Sequence, residues 1–198
     1  EELPNGSRIT SLPGNPDTIV GFSSVPLLLL DEGSRVPDQL LNVVRPFLAA
    51  SEATHGRPGR LVAASTPFGK RGWFWEAYDR NTRAEAAYER GVRDRTNGVV
   101  RCNWSEADPD RFVERQAWLQ GNAGEVQQLP WQIVKVTADQ CPRISQKFLD
   151  NERAQIGDRW FRQEYMCSFE DTTDAVFSHE VIQEMLSESY DQFKLWCE

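Results

Sequence analysis

The stretch Val25-Pro26-Leu27-Leu28-Leu29-Leu30, closed by Asp31-Glu32, constrains the fold more than any other part of the chain. Successive side chains of a strand point to opposite faces, so four leucines in a row ask for cover on both sides, as in the middle of a parallel sheet. The two carboxylates then fall where that strand ends. A second apolar run, Leu61-Val62-Ala63-Ala64, stops in the same way at Ser65-Thr66. Between the two runs, Pro37 opens a helical stripe of Leu40, Leu41, Val44, Phe47 and Leu48, and Gly56-Arg57-Pro58-Gly59 supplies a turn. Strand, helix and strand make a βαβ unit, which predicts an α/β fold with a parallel sheet and a right-handed crossover.

Outside this unit the pattern is of short elements. Residues 7–12 alternate toward a strand, and Pro13-Gly14-Asn15-Pro16-Asp17 reads as a loop. After Gly72 the cluster Trp73, Phe74, Trp75 and Tyr78 predicts a short helix. A second helix is expected from the capping-box pattern at Thr82-Arg83-Ala84-Glu85, ending at Gly91. Asp108-Pro109 reads as the start of a helix that stops at Gly121-Asn122-Ala123-Gly124. Residues 131–136 alternate like a strand, residues 145–156 and 159–166 read as helices, and Ser178 is placed to cap a last one reaching Tyr190. No internal repeat and no low-complexity tract is present.

Composition narrows the function classes. The 198 residues carry 22 basic and 30 acidic side chains, a net charge of −8, and 11% aromatic residues, too many for a disordered tail. The longest apolar run is far short of the ~18 residues that span a bilayer. A start at Glu1-Glu2-Leu3-Pro4, with neither initiator Met nor the basic and apolar parts of a signal peptide, leads us to expect an intracellular protein that is a mature product or a fragment. Cys102, Cys141, Cys167 and Cys197 lie tens of residues apart and only His55 and His179 accompany them, so a zinc site is not expected; buried free thiols are, with disulfides the lesser alternative. Charge is uneven. Residues 51–100 hold 9 basic and 6 acidic groups whereas residues 151–198 hold 4 and 11, so a polyanion would be met by residues 57–95 if anywhere. The alternative for those scattered arginines is an ordinary solvated surface.

Two features bear on chemistry. At the carboxyl edge of a parallel sheet one acid can hold Mg²⁺ through water while its neighbour orients or deprotonates an attacking water, and Asp31-Glu32 has that arrangement. An acidic pair in this position is as often a helix start or a solvent-exposed edge. The stretch Ala63-Ala64-Ser65-Thr66-Pro67-Phe68-Gly69-Lys70-Arg71-Gly72 invites comparison with a phosphate-binding loop. It is not one: the first Gly of Gly-x-x-x-x-Gly-Lys-Ser/Thr is replaced by Ala64, and the hydroxyl after Lys70 by Arg71. Neither His55 nor His179 attracts a catalytic role.

Four stretches in order resemble the large subunit of tailed-phage terminases, the motors that package DNA into capsids. Asn5-Gly6-Ser7-Arg8-Ile9 with Leu12-Pro13-Gly14-Asn15-Pro16-Asp17-Thr18-Ile19 resembles the segment leading into Walker B, and residues 27–32 resemble Walker B itself. Residues 65–72 resemble the coupling motif together with the residues just after it. Cys141-Pro142-Arg143-Ile144-Ser145, with Arg159-Trp160-Phe161-Arg162-Gln163-Glu164-Tyr165, resembles the end of the ATPase domain.

The resemblance implies a P-loop NTPase fold of the RecA/ASCE kind, with a parallel sheet flanked by helices. Asp31 would be the Mg²⁺-associated acid, Glu32 the carboxylate that activates water, and Ser65 and Thr66 the coupling motif; ATP would be the substrate. The implied parts are a Walker B and coupling-motif segment at 1–80, a helical insertion at 81–130, the end of the ATPase domain at 131–170 and an acidic linker at 171–198. Walker A would lie upstream and an RNase H-like nuclease downstream, leaving this stretch inactive alone. Double-stranded DNA, the portal protein, the small terminase subunit and a ring of like subunits are the implied partners, without a membrane, in the cytoplasm of a bacterial host carrying the phage or prophage. Lys70 and Arg71, with Arg80 and Arg83, are the expected DNA-facing cations, against which the net charge of −8 works; a structural role beside the strand end is the equal alternative for them. One departure is Val20, where many relatives carry an arginine that can stabilise transition-state charge; Arg8 and Arg35 are the candidates to replace it. Two other readings stand beside this one: a superfamily 2 helicase or translocase fragment, and a non-catalytic prophage remnant serving as an interaction module.

Overall fold

The computed structural model describes residues 2–19, 21–99 and 111–171. Val20, the start at Asp108-Pro109, Cys102, Cys197, His179 and the helix expected at 178–190 lie outside them. The chain divides into two compact units: residues 1–66 with 72–134, and Pro67–Arg71 with residues 135–198.

The first unit is built on the βαβ arrangement. Strand β1 (Leu27–Asp31) pairs in parallel with β2 (Arg60–Ala64), Leu27 opposite Arg60 and Asp31 opposite Ala64. This two-stranded sheet is the only one among the described residues. The chain is therefore mixed helix and strand, as an α/β fold requires, but β1 is not covered on both sides as its leucines predict. Leu28 and Leu30 are buried, whereas Leu27 and Leu29 remain 49% and 66% exposed, and Val62 of β2 is 50% exposed on the same sheet. An apolar strand buries only what its neighbours cover, and here cover is on one face.

That cover comes from the crossover. Helix α1 (Asp38–Val44) gives way to a 3₁₀ turn at Arg45–Leu48, because Pro46 has no N–H to continue an α ladder. Helix α2 (Ser51–His55) then ends at Gly56, whose positive φ of 68° closes it. Leu28 packs with Ile19, Leu40, Val44 and Phe47, and Leu30 with Leu41 and Trp73, so the leucine stripe read from the sequence is the core. Residues 7–12 form no strand; a single antiparallel bridge joins Glu2 and Arg8, and Leu12 leans on the Ile19 core. The loop expected at residues 13–17 contains a 3₁₀ turn, Pro16–Thr18, capped by Asn15.

A long hairpin completes the unit. The two helices expected after Gly72 are one, α3 (Gly72–Thr96), and the capping-box pattern at Thr82 falls inside it. There the Thr82 hydroxyl donates to the Tyr78 carbonyl one turn back, instead of capping a new start. Gly91 does not end the helix either. It meets α4 (Phe112–Ala123) so closely that a Cβ on Gly91 would lie 2.2 Å from the Trp118 carbonyl oxygen, and one on Gly121 would lie 2.3 Å from that of Tyr88. Both glycines, which punctuate the sequence like stops, are contact points of two helices. Helix α4 ends at Gly124. Trp118, 2% exposed, packs on Ala84, Ala87 and Ala117, and its indole N–H donates to Asp94 at 2.8 Å.

The alternating residues 131–136 are not a strand, since no second strand among the described residues lies beside them to complete a ladder. Trp131 instead donates its backbone N–H to Asn81 Oδ1, and its ring packs near Trp73. In the second unit, α5 (Gln146–Ile156) begins at Ser145, whose hydroxyl accepts from the Phe148 N–H, and α6 (Asp158–Tyr165) follows Gly157. Tyr165 stacks on Phe161 and donates its hydroxyl to Glu152, holding the two helices together. No described helix is long and apolar enough to cross a membrane.

Candidate functional site

The carboxyl ends of β1 and β2 lie side by side, because the pairing register sets Asp31 opposite Ala64. The residues after each strand therefore emerge together: Glu32 from β1, Ser65 and Thr66 from β2. Sequence placed these four at strand ends; the register makes the two ends one place.

The turn after β1 is held unusually. Glu32 sits in the left-handed region, φ 52° and ψ 43°, a conformation that side chains other than glycine adopt at a cost. Three contacts hold it there. The Asp31 carboxylate accepts the Glu32 N–H at 3.0 Å, the Glu32 carbonyl accepts the Arg35 N–H at 2.8 Å, and the Arg35 guanidinium faces the Glu32 carboxylate at 3.7 Å. Gly33 is buried so tightly that a Cβ would stand 3.3 Å from Ala63 and 3.3 Å from the Phe74 ring. A Cβ there would require Ala63 or the Phe74 ring to give by a few tenths of an ångström. Both carboxylates face solvent, so a ligand has access to them.

Ser34 ties this turn to β2, and nothing in the sequence singled it out. Its N–H donates to Ser65 Oγ at 3.1 Å, its hydroxyl donates to the Thr66 carbonyl at 2.7 Å, and the Ser65 hydroxyl returns to Ser34 Oγ at 2.8 Å. The Ser65 hydroxyl also lies 2.7 Å from the Thr66 carbonyl, an alternative acceptor for its one proton. The signal available was only the small hydroxyl residue two places after the acidic pair; its partners lie more than 30 residues away.

The implied metal can be weighed against this donor set. Magnesium takes six oxygens and is usually held by one or two carboxylates together with waters and substrate phosphates, and a solvent-facing Asp31 fits that use. Among the described residues no cluster of three acidic, histidine or cysteine side chains would hold a metal by itself.

Lys70 and Arg71, expected to face DNA, belong to the second unit. Lys70 has its Nζ 3.4 Å from Asp171 and keeps only 15% of its side chain exposed, and the Arg71 guanidinium lies over the Phe68 ring. Asp171 in turn accepts from Arg159 through its carbonyl, and Arg162 grips the Glu170 carboxylate through two bonds of 2.8 Å. That grip lowers the Glu170 carboxyl to about 2. The basic residues of α3 are balanced in number. Helix α3 carries five arginines and five carboxylates, and Arg83 bridges Asp79 at 3.0 Å and Glu114 at 2.9 Å, joining α3 to α4. Of the remaining candidates, Arg35 is the ion-pair partner of Glu32, and His55 Nε2 bonds the Ser24 carbonyl oxygen at 2.8 Å. Cys141 and Cys167 are free thiols, as expected, but half-buried rather than buried.

Compared with protein-family models, with curated proteins and with solved structures, the chain finds no match.

Proposed function

We propose that this chain is the Walker B and coupling-motif part of a P-loop ATPase of the phage terminase kind, which drives double-stranded DNA into a procapsid. The observation that carries the reading is the shared strand end: an adjacent Asp31 and Glu32 on β1, bonded through Ser34 to Ser65 and Thr66 on β2. Nucleotide hydrolysis needs little covalent chemistry from the protein and much positioning. Two carboxylates one residue apart, held by a strained turn, can divide the work. Asp31 would hold magnesium through water, and Glu32 would orient the attacking water and receive its proton. When bound, the magnesium ion supplies charge neutralisation on the phosphates. Ser65 and Thr66 then register a change at the acidic turn.

The phosphate cradle of this reading lies outside these 198 residues, because Ala64 and Arg71 break the only candidate loop. DNA contact is assigned to the loop carrying Lys70 and Arg71, and for Lys70 it requires release from Asp171. The test is Mg²⁺-dependent ATP hydrolysis by the coding sequence extended upstream of residue 1, beside its Glu32→Gln variant. The reading expects a Gly-x-x-x-x-Gly-Lys-Ser/Thr segment in that extension, turnover that Glu32→Gln abolishes, and ATP binding that it preserves. Equal turnover in the two proteins would refute it.

A further inference from the structure

We propose that Ser34 is a positioning residue that makes the acidic turn and the end of β2 move as one, through its hydroxyl bond to the Thr66 carbonyl and its N–H bond to Ser65. The inference rests on the same site as the function above but needs no nucleotide. Three groups form a continuous chain: Ser34 N–H to Ser65 Oγ, Ser65 O–H to Ser34 Oγ, and Ser34 O–H to the Thr66 carbonyl. Each hydroxyl in it donates once and accepts at least once, and linked bonds of this kind reinforce one another. At one end of the chain stands Glu32, two residues before Ser34, in a left-handed conformation that the turn must hold against its own preference. At the other end stands Thr66, the last residue before the chain passes into Pro67–Arg71 and the second unit. Only the buried Gly33 separates Glu32 from Ser34, so a shift of the Glu32 backbone has little chain in which to be absorbed. It is delivered at Ser34.

Hydrogen–deuterium exchange on the full chain tests this with a cycle of substitutions. Glu32→Gly relieves the turn's strain, because glycine adopts the left-handed region without cost. In the parent chain this change should lower exchange at the amides of Ser34 and Arg35, and also at Ser65 and Thr66, by about threefold, the size of the strain that is relieved. With Ser34→Ala, or with Ser65→Ala, the strand end should already exchange faster, and Glu32→Gly should not change it. Ser34→Thr, which keeps the hydroxyl, should restore the response and guards against a variant that fails for want of folding. Additive changes, or a strand end that ignores Glu32→Gly in the parent chain, would overturn the proposal. In the ATPase assay of the extended protein, Ser34→Ala should lower kcat and leave KM for ATP unchanged. If the parent protein hydrolyses no ATP, the functional reading falls and the exchange cycle still decides the role of Ser34.

Discussion

Replacing Gly91 with alanine gives the sharpest test of how the α3–α4 hairpin is built, because two effects of opposite sign meet there. In an isolated helix the change stabilises, by about 1 kcal/mol, since glycine is the poorest helix former after proline. In this hairpin the new Cβ would stand 2.2 Å from the Trp118 carbonyl oxygen and 3.0 Å from the Asn122 backbone nitrogen, where ordinary contact begins at 3.4 Å. The obstructing atoms are backbone, so no side chain can swing aside and the helices must part by roughly 1 Å in an interior packed like a crystal. Overpacking of this kind costs about 1–3 kcal/mol. Parting the helices also strains the Trp118–Asp94 bond of 2.8 Å and the Asn122 side-chain bonds to the Gly91 and Val99 carbonyls. The net expectation is a loss of about 0–2 kcal/mol after the propensity gain is set against it. Urea denaturation followed by tryptophan fluorescence reads this directly, as Trp118 lies at the crossing. Gly121→Ala should behave alike, its Cβ falling 2.3 Å from the Tyr88 carbonyl oxygen. Thr82→Ala, on the exposed side of α3, should be neutral or stabilise by a few tenths of a kcal/mol. A stabilising Gly91→Ala would refute the close crossing.

Three further outcomes rest on particular contacts. Asp38 accepts the Trp73 N–H at 2.9 Å and so caps α3 from outside the helix; Asp38→Ala should lower stability by about 1 kcal/mol, measured by thermal denaturation. Glu32→Gly should leave stability unchanged or raise it by about 0.5–1 kcal/mol, since the left-handed backbone is relieved and only an exposed ion pair is lost; a loss of more than that would show the Glu32 side chain to be structural. The Glu170 carboxyl, held near 2 by Arg162, is ionised in the fold below the pH at which it protonates in the unfolded chain. Its contribution is present above the ordinary carboxyl range near 4.5 and is lost as pH falls from there toward 2. Glu170→Gln should flatten that part of an acid titration of stability, and an unchanged titration would remove the Arg162 grip from the account.

The sequence was informative where one rule dominated. Two apolar runs ending in polar residues marked β1 and β2, and the helical stripe of Leu40, Leu41 and Val44 marked the face that covers them. Ser145 announced α5 through a cap that the structure keeps. It misled where one residue type serves two purposes. Gly91 and Gly121 read as stops because a helix interior disfavours glycine, yet a close helix crossing demands it. Residues 131–136 have strand alternation but no partner among the described residues, and pairing is a property of the whole sheet. The four leucines asked for cover on two faces, and the described residues supply it on one. At the candidate site, Asp31, Glu32, Ser65 and Thr66 were legible as the residues at the ends of β1 and β2. Ser34 was not, because its role depends on bonds to residues 31 and 32 places along the chain.

The central claim, that the joined ends of β1 and β2 form the hydrolytic half of a phosphate-handling site, is tested most directly by steady-state Mg²⁺-ATP hydrolysis. The upstream-extended coding sequence should be assayed with Glu32 and with Glu32→Gln, with ATP binding measured on both. The account predicts that the substitution lowers turnover by about 10²-fold or more while ATP binding persists, as loss of a positioned general base does. Turnover that survives the substitution, or an extended protein that binds no ATP, would contradict it.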